Sequence, residues 1–266
     1  MPKNVFPLDS TKRFTDQQLL GHNRWHPDIP AAVHVKPGDL LVVDILDVGP
    51  IPQEDSGPLA GQGWGYTGIF AQQNGGGFLT EQFPDAYKVI WDFTGGTAPS
   101  RHVPHVAFTG IVHPGLMGTA PSAELLSRWN SREGALIAQD PDRVPPLALP
   151  PLPEDAILGG LEGEAFDRAA AKAARTAPPR ENGGNQDIKN FTKGTRVFYP
   201  VYVDGANLSM GDLHFSQGDG EITFCGAIEM AGWVHLKVEL IKDGMAKYGI
   251  KNPIFRPSPI TPKYDD

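Results

Sequence analysis

Residues 233 to 244, WVHLKVELIKDG, carry the pattern on which the fold turns. Val234, Leu236, Val238 and Leu240 alternate with His235, Lys237, Glu239 and Ile241. Side chains along a strand point to opposite faces in turn, so this period of two predicts a half-buried antiparallel strand. His235 then shares a polar face with Lys237 and Glu239 and reads as solvent-facing. Working outward, RVFYPVYVDGANL (196–208) and residues 211–230 read as further strands. So do parts of VHVKPGDLLVVDILDVG (33–49), YKVIWDF (87–93) and PHVAFTGIVHPGLMGTAPS (104–122). Short strands broken by turns every eight to twelve residues or so predict a mainly β chain, a β-sandwich with loop insertions.

Composition agrees. The 266 residues include 31 glycines and 26 prolines, which favours turns and short strands over long helices. With 40% hydrophobic residues the chain can bury a core. A formal net charge of -8 leaves no basic stripe, so neither nucleic acid nor an anionic membrane surface is expected as a partner. No apolar run approaches the ~20 residues that span a bilayer. The N-terminus lacks the apolar core of a secretory signal, and the single cysteine, Cys225, allows no intrachain disulfide. The expected location is the cytoplasm.

Several local features qualify the pattern. RVPPLALPPLP (143–153) reads as extended and proline-stiffened, and residues 154–177 as a helical insertion, with a cover helix from Glu162 to Arg175 stopped by Pro178. The glycines of residues 50–86 lack the strand, helix and spacing of a dinucleotide fingerprint and read as turns, or as a loop near a ligand. Asp44 interrupts an apolar strand, so it needs a partner, a cavity or a strand end facing water. His102, His105 and His113 lie close in sequence, but their spacing is looser than a zinc motif.

The chemistry concentrates in GDLHFSQGDGEI, residues 211–222. If 212–216 are extended, Asp212, His214 and Ser216 share one face while Leu213 and Phe215 share the other. Glu221, Thr223 and Cys225 alternate likewise with Ile222 and Phe224, so a hairpin turning at 217–220 puts both polar faces together. Imidazole nitrogen and carboxylate oxygen are zinc ligands, and a further carboxylate can move protons. Upstream, RENGGNQDIKN (180–190) sets Glu181, Asn182, Asn185, Asp187 and Lys189 around a Gly183-Gly184 turn. That arrangement suits either a polar pocket or an ordinary Asx turn.

NGGNQDIKN (182–190), GDLHFSQGDGE (211–221) and GAIEM (226–230) together closely resemble the acetamidase/formamidase family of amide hydrolases. VKPGDLLVVDILD (35–47) and HPGLMGTAP (113–121) look like the same family, and the resemblance runs over essentially the whole chain. The ENGGNQD version and the loops between 50 and 160 look closer to the formamidases. The resemblance implies a β-sandwich of jelly-roll character and hydrolysis of formamide to formate and ammonia, with other short aliphatic amides as poorer substrates. It implies a divalent metal, with zinc expected and calcium as the alternative, and residues drawn from the two second-half motifs. Carried over, it points to Asn185 and Asp187, then Asp212, His214, Asp219 and Glu221, without dividing ligands from proton carriers. The expectation taken forward is metal ligation by Asp187, Asp212 and His214, proton transfer by Glu221 and Asp219, and substrate binding by Asn185. Members of the family continue beyond NPIFRPSPITPKYDD, so the C-terminal part of the domain is expected to be missing.

Other amidase chemistries fit less well. A nitrilase-type nucleophile is a cysteine, and Cys225 sits among apolar residues where a buried, inert thiol is expected. No glycine- and serine-rich stretch supplies a Ser-Ser-Lys arrangement. Outside enzymes, a sandwich of this kind serves as a ligand- or calcium-binding module, with Asp212, Asp219 and Glu221 as hard oxygen ligands. Exposed strand edges make a homo-oligomer the expected state.

Overall fold

The computed structural model describes residues 2–9, 21–45, 63–69, 87–144, 148–221 and 223–259. The glycine-rich turns at 50–62 and 70–86 lie outside the described residues, as do the end of the strand predicted to run to residue 49 and the last residues of the chain.

The chain is mainly β, as the alternation predicts. Before the first helix come β1 (Lys3–Phe6), β2 (Arg24–Trp25), β3 (Leu40–Ile45), β4 (Trp64–Ile69), β5 (Tyr87–Asp92), β6 (Thr97–Pro99), β7 (Ala107–Thr109) and β8 (His113–Gly118). Helices α1 (Ala123–Ile137) and α2 (Gly163–Ala170) follow. Then come β9 (Ala174–Arg175), β10 (Pro179–Arg180), β11 (Gly183–Asn185), β12 (Arg196–Phe198), β13 (Ser209–His214), β14 (Phe224–Met230) and β15 (Gly232–Lys237). A short α3 (Gly244–Tyr248) and β16 (Ile254–Arg256) close the described chain.

The principal sheet has seven strands in the order β10-β11-β8-β13-β14-β4-β5. Its register sets one row of side chains straight across five of them. His113 faces His214, His214 faces Glu229, Glu229 faces Tyr66, and Tyr66 faces Ile90. Because directly opposed residues on neighbouring strands point to the same face, this row gathers the polar groups of three strands in one place. A second, three-stranded sheet runs β1-β3-β15, with β1 parallel to β3 and β15 antiparallel to it. It meets the larger sheet where β3 approaches β13. Asp44 finds its partner here: its carboxylate accepts from Asn4 Nδ2 and from the amide of Leu8, both at 3.0 Å, and so ties the N-terminus to β3.

β15 keeps the expected alternation, with Val234 and Leu236 half-buried and Trp233, His235 and Lys237 exposed. β4 lies in a stretch read as turns, and its glycines explain why. Gly65 passes so close to the ring of Phe93 that a Cβ would stand 2.7 Å from it, so close packing, not turn formation, requires glycine. The Glu162–Arg175 helix is shorter than its composition predicts. It ends at Ala170, and Ala174 and Arg175 pair as a strand with Trp25 and Arg24. Tertiary pairing overrides helix propensity there: Arg175 and Arg180 both bind Glu133 of α1, and the Arg180 guanidinium lies over Trp129. Helix α1, unread in the sequence, is capped by Ser122 Oγ accepting from Leu125 N, and buries Leu125, Leu126 and Trp129 against Trp25 and Ala174.

Candidate active site

The site grows where β11, β8 and β13 lie side by side in the large sheet. At β8 the chain carries Gly115, whose carbonyl accepts from the amides of both Gln186 and Asp187, at 2.8 and 3.1 Å. This pair of hydrogen bonds folds the chain after β11 back over β8 and brings Asp187 onto the face carrying Asp212 and His214. Asp187 (φ 46°) and Asp212 (φ 56°) both adopt the left-handed conformation. Aspartate tolerates it better than most residues, yet two such positions beside one cluster are a mark of a functional site. Asp212 thus departs from the regular strand expected there, and its Oδ1 lies 3.3 Å from His214 Nε2.

His214 is 1% exposed and stands at the centre. Its Nε2 lies 3.3 Å from Asp212 Oδ1, 3.3 Å from Glu229 Oε2 and 4.0 Å from Asp187 Oδ1. Its Nδ1 lies 3.0 Å from Gln217 Oε1 and 3.3 Å from His113 Nε2. Gln217 Nε2 donates to the carbonyl of Asp187, so its Oε1 is an acceptor toward the rings. His113 Nδ1 donates to the carbonyl of Ile111 at 2.6 Å, its Nε2 lies 2.9 Å from the same Gln217 Oε1, and burial holds His113 below its usual pKa. Gln217 Oε1 thus faces a nitrogen of each ring, and His214 Nε2 is left aimed at the carboxylates. A ring nitrogen fixed by its far-side donor is the usual state of a histidine that binds a metal.

The electrostatics have two poles. Burial pushes Asp187 up to about 8, helped by the charges of Asp212 and Glu221. Glu221 is raised as well, first by burial. Burial works the same way on Asp212, but its hydrogen bond to His214 and the charge there hold it below the ordinary value. Burial alone would lower His214; hydrogen bonds to Asp212 and Glu229 reverse this and push it up to about 12. In the metal-free protein a proton thus sits on His214 Nε2 among the carboxylates, where a cation would otherwise balance them.

Two sets of groups come close enough to share one cation: Asp187, Asp212 and His214, and His214, Glu221 and Glu229. Their surroundings fit an ion. Asp187 Oδ1 is buried and accepts no hydrogen bond, while Oδ2 takes Asn185 Nδ2 at 2.9 Å. A Cβ on Gly115 would stand 2.6 Å from Asp187 Oδ1 and from Asp212 Oδ2, and 2.7 Å from His214 Cε1. The donor set, one imidazole nitrogen with carboxylate oxygens, is one that a divalent cation can share.

Of the residues singled out from the sequence, Asp187, Asp212, His214 and Glu221 converge, and Asn185 touches the cluster through Asp187. Asp219 does not join them. Its side chain is 87% exposed and pairs with Lys189 at 2.6 Å. Glu221 is held by a different route from the expected hairpin: β13 pairs with β14 through Leu213–Met230 and His214–Glu229, and Glu221 lies in the loop before β14. From there its Oε1 accepts from Ala227 N at 2.8 Å, closing the irregular stretch of β14 where Gly226 packs against the Glu221 backbone. Of the three histidines, His113 enters the site, whereas His102 bonds Tyr87 and His105 sits in an exposed turn. Glu229, Gln217 and Gly115 were missed. Glu229 carried a signal: it is the one charge in FCGAIEM, the same anomaly that drew notice to Asp44. Cys225 is buried, 6% exposed, as expected.

The sequence profile of the Acetamidase/Formamidase family matches residues 7–38 and 34–266. The two stretches share residues 34–38. An acetamidase from Mycolicibacterium smegmatis is 54% identical over 314 aligned positions, which take in 100% of this chain and 77% of that protein. A formamidase from Methylophilus methylotrophus is 54% identical over 303 positions, with 99% of this chain and 74% of the other covered. The solved structure of a gamma lactamase from Delftia acidovorans superposes with a TM-score of 0.90 at 51% identity, over 99% of this chain and 74% of that one. The chain belongs to the acetamidase/formamidase family and is an amide hydrolase.

Proposed function

We propose that this chain hydrolyses short linear amides, formamide ahead of acetamide, to the carboxylate and ammonia, with a zinc ion held by Asp187, Asp212 and His214. The carrying observation is the buried convergence of those three groups around Gly115, with one carboxylate oxygen of Asp187 unspent. The names of the relatives support the reaction. A γ-lactam is a cyclic amide, so all three names concern cleavage of an amide C–N bond.

When bound, the ion supplies a positive charge that polarises an amide carbonyl and acidifies water. The protein's own groups do the rest. Glu221, with its raised pKa, accepts the proton of the water that attacks the carbonyl carbon and returns it to the amide nitrogen as the C–N bond breaks. Glu221 takes this role in preference to the surface Asp219, which is held by Lys189. Glu229 completes the carboxylate wall behind His214, and Gln217 with His113 keeps the imidazole turned toward it. Asn185 orients Asp187 through Nδ2 and leaves its amide oxygen for the N–H of a small substrate. The discrimination of one methyl between formamide and acetamide is ~1–3 kcal/mol.

The proposal includes a cytoplasmic location and a homo-oligomer. Among the described residues no helix is long and apolar enough to cross a membrane. The larger sheet ends on β10 and β5, edges that another copy can cover. The test is ammonia release from formamide and acetamide before chelation, after it, and after zinc is restored. Loss and recovery of turnover are expected; a folded, zinc-loaded chain that releases no ammonia refutes the reading.

A further inference from the structure

The central sheet carries a second pair of reactive groups, on the face turned away from the carboxylate–histidine cluster. Gly115 faces Asp187, Asp212 and His214, so its neighbour Leu116 points the other way, where it packs against the cluster of Trp25, Leu125 and Trp129. Gly211 is the register partner of Leu116, and Ser209 that of Gly118, which puts Ser209 on this back face as well. There Ser209 Oγ lies 2.7 Å from His22 Nε2. His22 Nδ1 lies 2.6 Å from the carbonyl of Arg24, and the Trp25 ring stands edge-on to the imidazole with centroids 5.8 Å apart.

The hydrogens of this pair are fixed by chemistry. A carbonyl only accepts, so His22 Nδ1 carries a hydrogen. Burial holds His22 below its usual pKa, so at neutral pH the ring has that one hydrogen and Nε2 is a lone pair. Ser209 Oγ–H therefore donates to Nε2, the direction in which a base activates a hydroxyl. A nucleophile within reach of a base that a third group orients is the arrangement of covalent catalysis. Here the third group is the Arg24 carbonyl. Both side chains are only half-buried, and a Cβ on Gly211, the next residue along the same face, would meet no described residue within 4 Å. A small molecule thus has room beside the hydroxyl.

We propose that Ser209 and His22 form a second, metal-independent reactive site on the back of the central sheet, which cleaves small esters that carry a good leaving group. Ser209 Oγ bonds to the ester carbonyl carbon while its proton passes to His22 Nε2. The bond from that carbon to the aryl oxygen breaks, and the departing aryloxide takes the proton. Water, deprotonated by His22, then displaces Ser209 from the acyl group and releases the carboxylate. General-base help is worth ~10²–10⁴-fold, which suffices for an aryl ester and not for an amide. The site therefore divides substrates with the cluster on the other face, and it does not rest on the metal proposed there.

The test uses the intact chain, with p-nitrophenyl acetate as ester and phenylmethanesulfonyl fluoride as covalent probe. The probe forms an Oγ–S bond as fluoride leaves, and peptide mass mapping finds the residue that carries it. The expected adduct is on Ser209, with nitrophenolate release lost, ammonia release from formamide retained, and both labelling and ester cleavage unchanged by a chelator. Ser209→Ala should abolish the labelling, and His22→Gln should slow it by ~10²-fold or more. A folded chain labelled elsewhere or not at all overturns the proposal, as does a folded His22→Gln variant labelled at the wild-type rate. Ester cleavage that survives in Ser209→Ala or disappears with the metal overturns it too. If His22→Gln does not fold, the labelling rate of wild-type Ser209 is set against that of a free serine amide. A rate ~100-fold above the free amide supports the pair, and parity overturns it.

Discussion

Gly115→Ala is the most incisive perturbation of the site, because it adds one methyl group where the structure has no room for it. The new Cβ would meet Asp187 Oδ1 and Asp212 Oδ2 at 2.6 Å and His214 Cε1 at 2.7 Å, all well inside contact distance. The backbone has no slack with which to retreat, since the Gly115 carbonyl holds the amides of Gln186 and Asp187 and β8 is paired on both sides. The side chains must therefore give way. Overpacking of this kind costs ~1–3 kcal/mol of stability. Displacing the groups that orient an ion lowers its affinity by ~10–100-fold. A shift of about an ångström at the reacting centre costs ~100-fold in turnover. The control is Gly211→Ala, on the neighbouring strand, whose Cβ would meet nothing within 4 Å. Zinc affinity by competition with a chromophoric chelator, ammonia release and thermal melting are measured for both. The expected result is a Gly115→Ala protein that folds, binds zinc weakly and turns over slowly, beside a Gly211→Ala protein close to wild type. A Gly115→Ala protein with normal zinc affinity and turnover would falsify the geometry of the cradle.

Three further outcomes are expected. Glu221→Gln keeps the shape but cannot take a proton, so kcat should fall by ~10²–10⁴-fold with zinc content unchanged; a variant with wild-type kcat moves the proton carrier elsewhere. The metal-free protein should lose stability as pH rises. The folded values of Asp187 (about 8) and His214 (about 12) both lie above their ordinary ones, so their contribution is full at low pH and drains away as pH climbs. Chelated protein should melt at a lower temperature at pH 8 than at pH 5, by a change on the order of a few kcal/mol, and zinc should flatten the difference. A melting point that rises over that range in chelator rejects the assignment. Glu133→Ala strips the partner from Arg180, whose side chain is 5% exposed, and from Arg175, so chemical denaturation should show a loss of ~3 kcal/mol; a loss below ~1 kcal/mol means that water reaches the pair.

The period-two alternation in β15 and the apolar run of β3 were legible because one face of each strand meets water. Burial on both sides erases that contrast, and β4, with Trp64, Gly65 and Tyr66 all buried, reads as a glycine turn. Helix α2 shows the opposite failure: its alanines favour a longer helix, and the pairing of β9 with β2 cuts it short. At the site, composition drew notice to the two polar motifs, and the family resemblance pointed within them to Asp187, Asp212, His214 and Glu221. Asp219 shares that composition but faces solvent, and only the path of the loop separates it from Glu221. Glu229 was hidden for the converse reason. It stands in an apolar strand, and its place beside His214 is a matter of register between β13 and β14, which no local pattern encodes.

The row of side chains running from His113 through His214, Glu229 and Tyr66 to Ile90 makes the chemistry an all-or-none property. The three strands that carry the site, β8, β13 and β14, must align at one level before His113, His214 and Glu229 all meet. A slip of one residue in a single strand turns its contribution to the opposite side of the sheet. No partly assembled sheet can then hold a weakened version of the site. The quantity of enzyme counted by turnover is the quantity in which the whole central sheet has closed, so an activity titration of this protein is also a census of its correctly registered molecules.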